Sequence, residues 1–208
     1  MPDVIAVDPV NPDLKVLSDL GGLIRKGAVI AFPTDTYYGL AANPFDQEAV
    51  ARIFKIKGRP VSKPILLLID GLDRLNDLAL NVTPLAEAVI TAFWPGPLTL
   101  VFEAVPGLPD FVTAGTGTIG IRLPDAALPV GLVRETGFAI TGTSANPSGA
   151  PAPTTAAEVA ASIGRDLDVV IDGGPGSPGP STLIDVCGAK PILLREGRIP
   201  AERLKAFF

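Results

Sequence analysis

The chain contains no histidine, and this absence removes several kinds of chemistry at once. Nucleophilic catalysis by Ser-His-Asp or Cys-His, proton shuttling by imidazole and most zinc sites all need histidine. The single cysteine, Cys187, excludes an internal disulfide, and the first residues show no secretory leader, so we expect a reducing cytoplasmic compartment. Any catalysis must therefore use lysine, arginine, hydroxyl groups, carboxylates and the backbone.

Positive charge is also scarce. The 208 residues carry 17 Lys and Arg against 22 Asp and Glu, which gives a net charge of −5. Such a chain lacks the broad basic field that attracts nucleic acid or an anionic membrane, and no apolar run has membrane-spanning length. Hydrophobic residues make up 47% of the chain, enough for the core of one large domain. A polyanion would have to be bound by a local cluster of cations.

Short apolar segments alternate with amphipathic segments along the chain. Strands are predicted at residues 28–32, 65–69, 98–102, 118–123, 138–141, 168–172, 181–186 and 192–194. Helices are predicted to begin at Asn11, Asp46, Thr83, Asp125 and Thr154. This alternation is typical of an α/β fold. Glycine and proline concentrate in segments 144–154 and 173–181, which follow predicted strands, so we expect a ligand cleft at the strand ends.

The segment KIKGRPVSK, residues 55–63, holds four of the chain's cations. Lys55 and Lys57 fall in the last turn of a predicted helix, where a solvated position near the negative end of the helix dipole is a sufficient explanation. Arg59 and Lys63 lie beyond Gly58, where no helix dipole accounts for them. A polyphosphate ligand would account for both.

Three further segments carry polar groups at strand ends. Thr36 and Tyr38 occur in FPTDTYYGL, either as an ordinary turn or as contacts to a small ligand. Arg122 lies inside the apolar strand TIGIRL and needs a partner, either Asp125 or a ligand carboxylate. The segment GTSANPSG, residues 142–149, is either a solvated loop or a nucleotide contact. Near the C-terminus, hydroxyl and guanidinium groups at strand ends are Ser181, Thr182 and Arg195.

Two matches to G-x-G-x-x-G, at residues 115–120 and 174–179, lead into predicted strands, so they do not indicate a dinucleotide-binding helix start. The P-loop pattern is absent as well. Without clusters of cysteine and histidine, the plausible ion is Mg²⁺ carried on a nucleotide.

The ordered motifs FPTDTYYGL, KIKGRPVSKP, WPGPLTLVF, IGIRLP, TSANPSG, DGG, PST and LLREG resemble the YrdC-type threonylcarbamoyl-AMP synthases. The resemblance covers about residues 10–200 and implies a twisted mixed sheet with flanking helices of the YrdC/RibB type. Longer members carry an additional C-terminal domain. Residues 1–208 resemble the short form, for which we expect one domain without an accessory domain.

The family's reaction joins ATP, L-threonine and bicarbonate or CO2 to give threonylcarbamoyl-AMP and pyrophosphate. The resemblance therefore implies a nucleotidyltransferase that acts in t6A formation at adenosine 37 of tRNA, with Mg²⁺ carried on ATP. It also implies downstream threonylcarbamoyl-transferase proteins as partners. Because the chain is acidic, we expect weak or no direct tRNA binding.

The resemblance assigns roles to twelve residues. ATP would be bound by Lys57, Arg59, Lys63, Thr118, Ser144, Asn146 and Arg195, of which Lys57, Arg59 and Arg195 would be catalytic. Threonine would be bound by Thr36, Tyr38, Arg122, Gly142 and Ser181. The chain departs from some relatives at Leu68, where they have histidine, and at Pro180, where they have glutamate. The alternatives are an RNA-binding module of the same fold without catalysis and a carbamoyl-phosphate-using domain.

Overall fold

Helices and strands alternate along the computed structural model, which describes residues 2–208. The helices are α1 (Leu14–Arg25), α2 (Gln47–Lys57), α3 (Leu72–Asn76), α4 (Pro84–Phe93), α5 (Asp110–Thr113), α6 (Ala127–Thr136), α7 (Ala156–Ser162) and α8 (Ala201–Leu204). The first six strands are β1 (Asp3–Ala6), β2 (Ile30–Phe32), β3 (Gly39–Ala41), β4 (Leu67–Leu68), β5 (Ala79–Leu80) and β6 (Leu98–Ala104). The remaining strands are β7 (Thr118–Arg122), β8 (Ile140–Thr141), β9 (Thr143–Ser144), β10 (Val169–Asp172), β11 (Thr182–Asp185) and β12 (Ile192–Arg195).

The strands form two mixed sheets. One has five strands in the order β1-β10-β2-β3-β9, and the other has seven, with β12-β11-β6-β7-β4-β8 in line and β5 paired to β6. Parallel pairs such as β11 with β6 occur beside antiparallel pairs such as β6 with β7. The expected mixed α/β architecture is confirmed, with its strands divided between two sheets.

Register places a mixed set of polar and apolar residues on one face of the seven-stranded sheet. Val101 on β6 pairs with Gly120 on β7 and with Asp185 on β11, so these three positions share that face. By the same register Leu183 pairs with Thr99. This face is the floor of the cavity described below.

Helix α2 begins and ends where the sequence predicts. Asp46 accepts hydrogen bonds from the backbone N–H groups of Glu48 and Ala49, and Gly58 ends the helix in the left-handed conformation at φ 54°. The buried face of α2 includes Ile53 and Lys57. The helix therefore leads directly into the segment that carries Arg59 and Lys63.

Three predicted helix starts were wrong by one or more residues. Helix α1 is capped by Asp13 instead of Asn11, because the Asp13 carboxylate accepts the backbone N–H of Lys15 and Val16. Helix α7 is capped by Thr155, one residue after the predicted Thr154, and forms a capping box with Glu158. Helix α6 begins after Ala126 without a side-chain cap, so Asp125 does not start it.

The buried apolar side chains form two clusters. The larger one includes residues of α2, α4 and both sheets, and the smaller one lies under α1 and α6. Helices α1 and α6 approach each other closely at Gly131, where a Cβ would lie 2.6 Å from Leu17 Cδ1. Among residues 2–208 the helices are too short or too polar to cross a membrane.

Candidate active site

A cavity of about 550 Å³ lies over the face of the seven-stranded sheet that carries Val101, Gly120 and Asp185. Strands β3 and β9 of the other sheet supply part of its wall through Gly39 and Ser144, so both sheets contribute to one site. Loops that follow β2, β8 and α2 complete it. Ten of the twelve predicted site residues line this cavity, namely Thr36, Tyr38, Arg59, Lys63, Thr118, Arg122, Gly142, Ser144, Ser181 and Arg195.

Lys57 is placed behind the cavity wall. Its side chain is buried, and its ammonium donates to the carbonyl oxygen of Ser144, to the carbonyl oxygen of Asn146 at 2.8 Å and to Asn146 Oδ1 at 3.3 Å. The Lys57 carbonyl oxygen also accepts the backbone N–H of Ser148 at 2.7 Å. Lys57 thus holds the segment from Ser144, the last residue of β9, to Ser148, which is called the Ser144 loop below. Asn146, in this segment, likewise lies outside the cavity lining.

Burial changes the acid-base properties of this lysine. Desolvation, together with the nearby positive charge of Arg59, lowers the pKa of Lys57 from 10.5 to about 8. Hydrogen bonds to carbonyl oxygens act in the opposite direction, since they stabilise the ammonium form. The burial could have been foreseen, because Lys57 follows Ile53 by four residues and Phe54 by three, which places it on the apolar face of α2.

Arg122 is buried on β7 and its guanidinium is fixed by three groups. Nε donates to the carbonyl oxygen of Gly96 at 3.0 Å, and Nη1 donates to Thr36 Oγ1 at 2.9 Å. Nη2 forms an ion pair with the Asp35 carboxylate, although this contact lacks hydrogen-bond geometry. The partner of Arg122 is therefore Asp35, and the alternative salt bridge to Asp125 was wrong. Asp35 lies 87 positions away in the sequence, so no local pattern indicated it.

Arg195, at the end of β12, lies on the opposite wall beside Ser181. Its Nη2 donates to the Ser181 carbonyl oxygen at 2.8 Å and contacts Ser181 Oγ at 3.3 Å. Ser181 Oγ is also 2.8 Å from Thr99 Oγ1. Partial burial and the neighbouring positive charge of Arg122 lower the pKa of Arg195. The guanidinium groups of Arg122 and Arg195 are thus close enough for their charges to interact.

Arg59 supplies a third guanidinium from the segment after α2. Its Nη2 donates to the carbonyl oxygen of Pro64 at 2.7 Å, which leaves Nε buried without a hydrogen-bond partner. Burial lowers the pKa of Arg59. Among the described residues, the cavity lining contains one carboxylate, Asp185, and four cations, namely Arg59, Lys63, Arg122 and Arg195. The cavity is therefore positive in a protein whose net charge is −5.

Hydroxyl groups and a glycine shape the remaining wall. The Tyr38 hydroxyl donates to the Gly174 carbonyl oxygen at 2.7 Å, so its proton is not available to a ligand in the cavity. Gly142 lies against Leu68, since a Cβ at this position would be 2.7 Å from Leu68 Cγ. Sequence reasoning missed Thr34, which lines the cavity two residues before Thr36 in the same motif.

In this α/β protein, a cavity lined by four cations and several hydroxyl groups is suited to an anionic small molecule. The family model Sua5_yciO_yrdC, described as "Telomere recombination", matches residues 22–197, and the chain belongs to this family. The threonylcarbamoyl-AMP synthase of Pyrococcus abyssi is 40% identical over 185 residues, which cover 88% of this chain and 54% of the relative. The Bacillus subtilis threonylcarbamoyl-AMP synthase is 38% identical over 98% of this chain and 59% of the relative.

The solved structures agree with the sequence relatives. The crystal structure of P. abyssi Sua5 complexed with L-threonine superimposes with a TM-score of 0.93 and 37% identity, covering 99% of this chain and 60% of that protein. The chain thus spans somewhat more than half the length of these relatives.

Proposed function

We propose that the protein is an L-threonylcarbamoyladenylate synthase, a nucleotidyltransferase that uses ATP, L-threonine and bicarbonate or CO2. The observation that carries the proposal is the set of four cations brought from distant parts of the sequence into one hydroxyl-lined cavity. The names of the relatives and the threonine complex of P. abyssi Sua5 support the same reaction.

The triphosphate of ATP is assigned to the cavity cations Arg59, Lys63 and Arg195. Arg59 has a buried Nε without a partner, and a phosphate oxygen would satisfy it. Ser144 and Thr118 are assigned to the nucleoside, since both line the cavity. Lys57 and Asn146 would act on ATP through the position of the Ser144 loop, because the ammonium is bonded to that loop.

Threonine is assigned to the part of the cavity at Arg122. Two of the five N–H groups of the guanidinium donate to Gly96 and Thr36, and Nη2 pairs with Asp35 without hydrogen-bond geometry, which leaves three N–H groups for the amino-acid carboxylate. Gly142 and Ser181 would form the adjacent wall, with the Tyr38 ring behind them.

The reaction needs positioning and charge neutralisation more than a protein nucleophile. The threonine nitrogen adds to CO2 and loses a proton to give a carbamate. A carbamate oxygen then attacks the α-phosphorus of ATP, and the bond to pyrophosphate breaks. Negative charge develops on the phosphate oxygens, where preorganised guanidinium and ammonium groups stabilise it. A site without histidine is sufficient for this chemistry.

Magnesium would enter with ATP. Residues 2–208 contain no group of three or more acidic, histidine or cysteine side chains that could hold a metal. Mg²⁺ is commonly bound through nucleotide phosphates and water with few protein ligands, which fits a lining with one carboxylate, Asp185. When bound, the ion would share the neutralisation of the triphosphate with the cations.

The wider role we propose is the first step of t6A formation at adenosine 37 of tRNA, in the cytoplasm. The product would pass to threonylcarbamoyl-transferase proteins. Direct tRNA binding is expected to be weak or absent, because the net charge of the chain is −5.

Pyrophosphate release tests the proposal. The protein with ATP, Mg²⁺, bicarbonate and threonine should release pyrophosphate only when threonine is present. Arg59→Ala should chiefly raise the KM for ATP and Arg122→Ala the KM for threonine, with the exposed Lys55→Ala as the matched control. Threonine-independent release, or an exchange of the two phenotypes, would contradict the assignment. Tight tRNA binding without ATP that weakens steeply with salt would favour the RNA-binding alternative.

A further inference from the structure

The hydroxyl of Thr36 belongs to a chain of hydrogen bonds whose direction can be worked out by counting protons. Thr34 Oγ1 lies 2.7 Å from the carbonyl oxygen of Tyr37, which can only accept, so Thr34 donates its single hydroxyl proton there. The same Oγ1 accepts the backbone N–H of Thr36 at 3.0 Å. Thr34 and Thr36 also contact each other through their hydroxyl oxygens at 2.9 Å. Since the Thr34 proton is already used, Thr36 must be the donor in that contact.

The count for Thr36 then leaves one possibility. Its single proton goes to Thr34, and one of its two lone pairs accepts from Arg122 Nη1 at 2.9 Å. One lone pair remains, and it is the only hydrogen-bonding capacity that this hydroxyl can offer to a ligand in the cavity. Without its contact to Thr34, the Thr36 hydroxyl could rotate to donate or to accept. In this structure it can only accept a hydrogen bond from a ligand.

We propose that Thr34 is a specificity-determining residue. It accepts the hydrogen bond that the Thr36 hydroxyl donates, so that Thr36 can only accept a hydrogen bond from the bound amino acid. The site then selects an amino acid that places a carboxylate at Arg122 and an N–H or O–H donor at Thr36. The donor is either the nitrogen of the amino acid or its side-chain hydroxyl. Thr34 needs no contact with the ligand for this role, because it acts through Thr36.

This inference rests on the proposed threonine site and predicts opposite effects for two conservative changes. Thr34→Val keeps the β-branched shape but removes the acceptor, so the Thr36 proton would be free to point at the ligand's donor. Thr34→Ser keeps the hydroxyl and loses one methyl group. We expect Thr34→Val to weaken threonine binding about tenfold, the effect of one lost hydrogen bond, and Thr34→Ser to bind as the wild type does.

The measurement is equilibrium binding by calorimetry on the whole chain, with L-threonine and with L-valine, its isostere without a hydroxyl. If Thr36 accepts from the nitrogen, Thr34→Val weakens the binding of both ligands. If it accepts from the hydroxyl, only threonine binding is weakened. ATP affinity should stay unchanged in every variant, which a general loss of structure would not allow.

Two results would overturn the proposal. One is wild-type threonine affinity in Thr34→Val, and the other is an equal loss in Thr34→Ser, which would assign the effect to packing. Thr34→Ala is measured in parallel, so that a poorly folded valine variant still leaves a comparison with serine. Failure of the wild-type protein itself to bind threonine would instead refute the proposed function.

Discussion

The buried ammonium of Lys57 predicts that the stability of the protein rises with pH in the alkaline range. The unfolded chain keeps the Lys57 proton up to its ordinary pKa of 10.5, whereas the folded protein releases it at about 8. Between about pH 8 and 10.5 the unfolded state therefore binds more protons, and the free energy of unfolding increases with pH. At about 1.4 kcal/mol for each tenfold difference in proton affinity, the full gain is about 3 kcal/mol.

Other groups titrate in the same range and must be separated from Lys57. Burial raises the pKa of Tyr38 and raises that of Cys187 to about 12, so the folded protein holds these protons longer than the unfolded chain does. Both groups therefore lower stability as pH rises, with the opposite sign to Lys57. They are present in wild type and in Lys57→Met alike, so the difference between the two proteins isolates the lysine.

The assay is urea unfolding of wild type, Lys57→Met and the exposed control Lys55→Met from neutral pH to about pH 10.5. The wild type should gain about 3 kcal/mol relative to Lys57→Met, and the control should follow the wild type. A constant difference between wild type and Lys57→Met would refute the reasoning. It would mean that hydrogen bonds to the Ser144 and Asn146 carbonyls compensate the ammonium for its lost hydration.

Two further substitutions test the wall of the cavity and a helix start. Gly142→Ala places a Cβ 2.7 Å from the buried Leu68 Cγ, so we expect a loss of about 1–3 kcal/mol in urea unfolding and a higher KM for threonine. Gly71→Ala is its control, since no heavy atom lies within 4 Å there, and equal losses would contradict the steric argument. Thr155→Ala should lower the free energy of unfolding by about 1 kcal/mol through loss of the capping box, and Thr154→Ala should lower it less. The reverse order would contradict the assigned cap.

Local patterns predicted the parts of the fold that local interactions determine. Helix α2 was correct because Asp46 bonds to N–H groups two and three residues away and Gly58 permits the left-handed conformation. The predicted start of α1 was wrong because Asn11 and Asp13, two residues apart, both have side chains suited to capping a helix. Strand β3 was missed, since Gly39–Ala41 has no β-branched residue and depends on pairing with β2 and β9.

The site was predicted to the extent that its residues lie at strand ends or within a few residues of them. Residues such as Thr36, Ser181 and Arg195 reach the cavity in this way. Lys57 was expected at the phosphates and is found behind the wall, although its position on the apolar face of α2, with Ile53 and Phe54, could have indicated its burial. The Asp35 partner of Arg122 depends on long-range packing and could not be read from the sequence.

The double attachment of Lys57, by its carbonyl oxygen to Ser148 and by its ammonium to Asn146, has a mechanical consequence. It couples the Ser144 loop to the helix that also carries the Arg59 segment, so these two sides of the cavity must shift as one body. Widening of the cavity for ligand exchange then falls to the opposite side, where Arg195 ends an edge strand bonded to a single neighbouring strand.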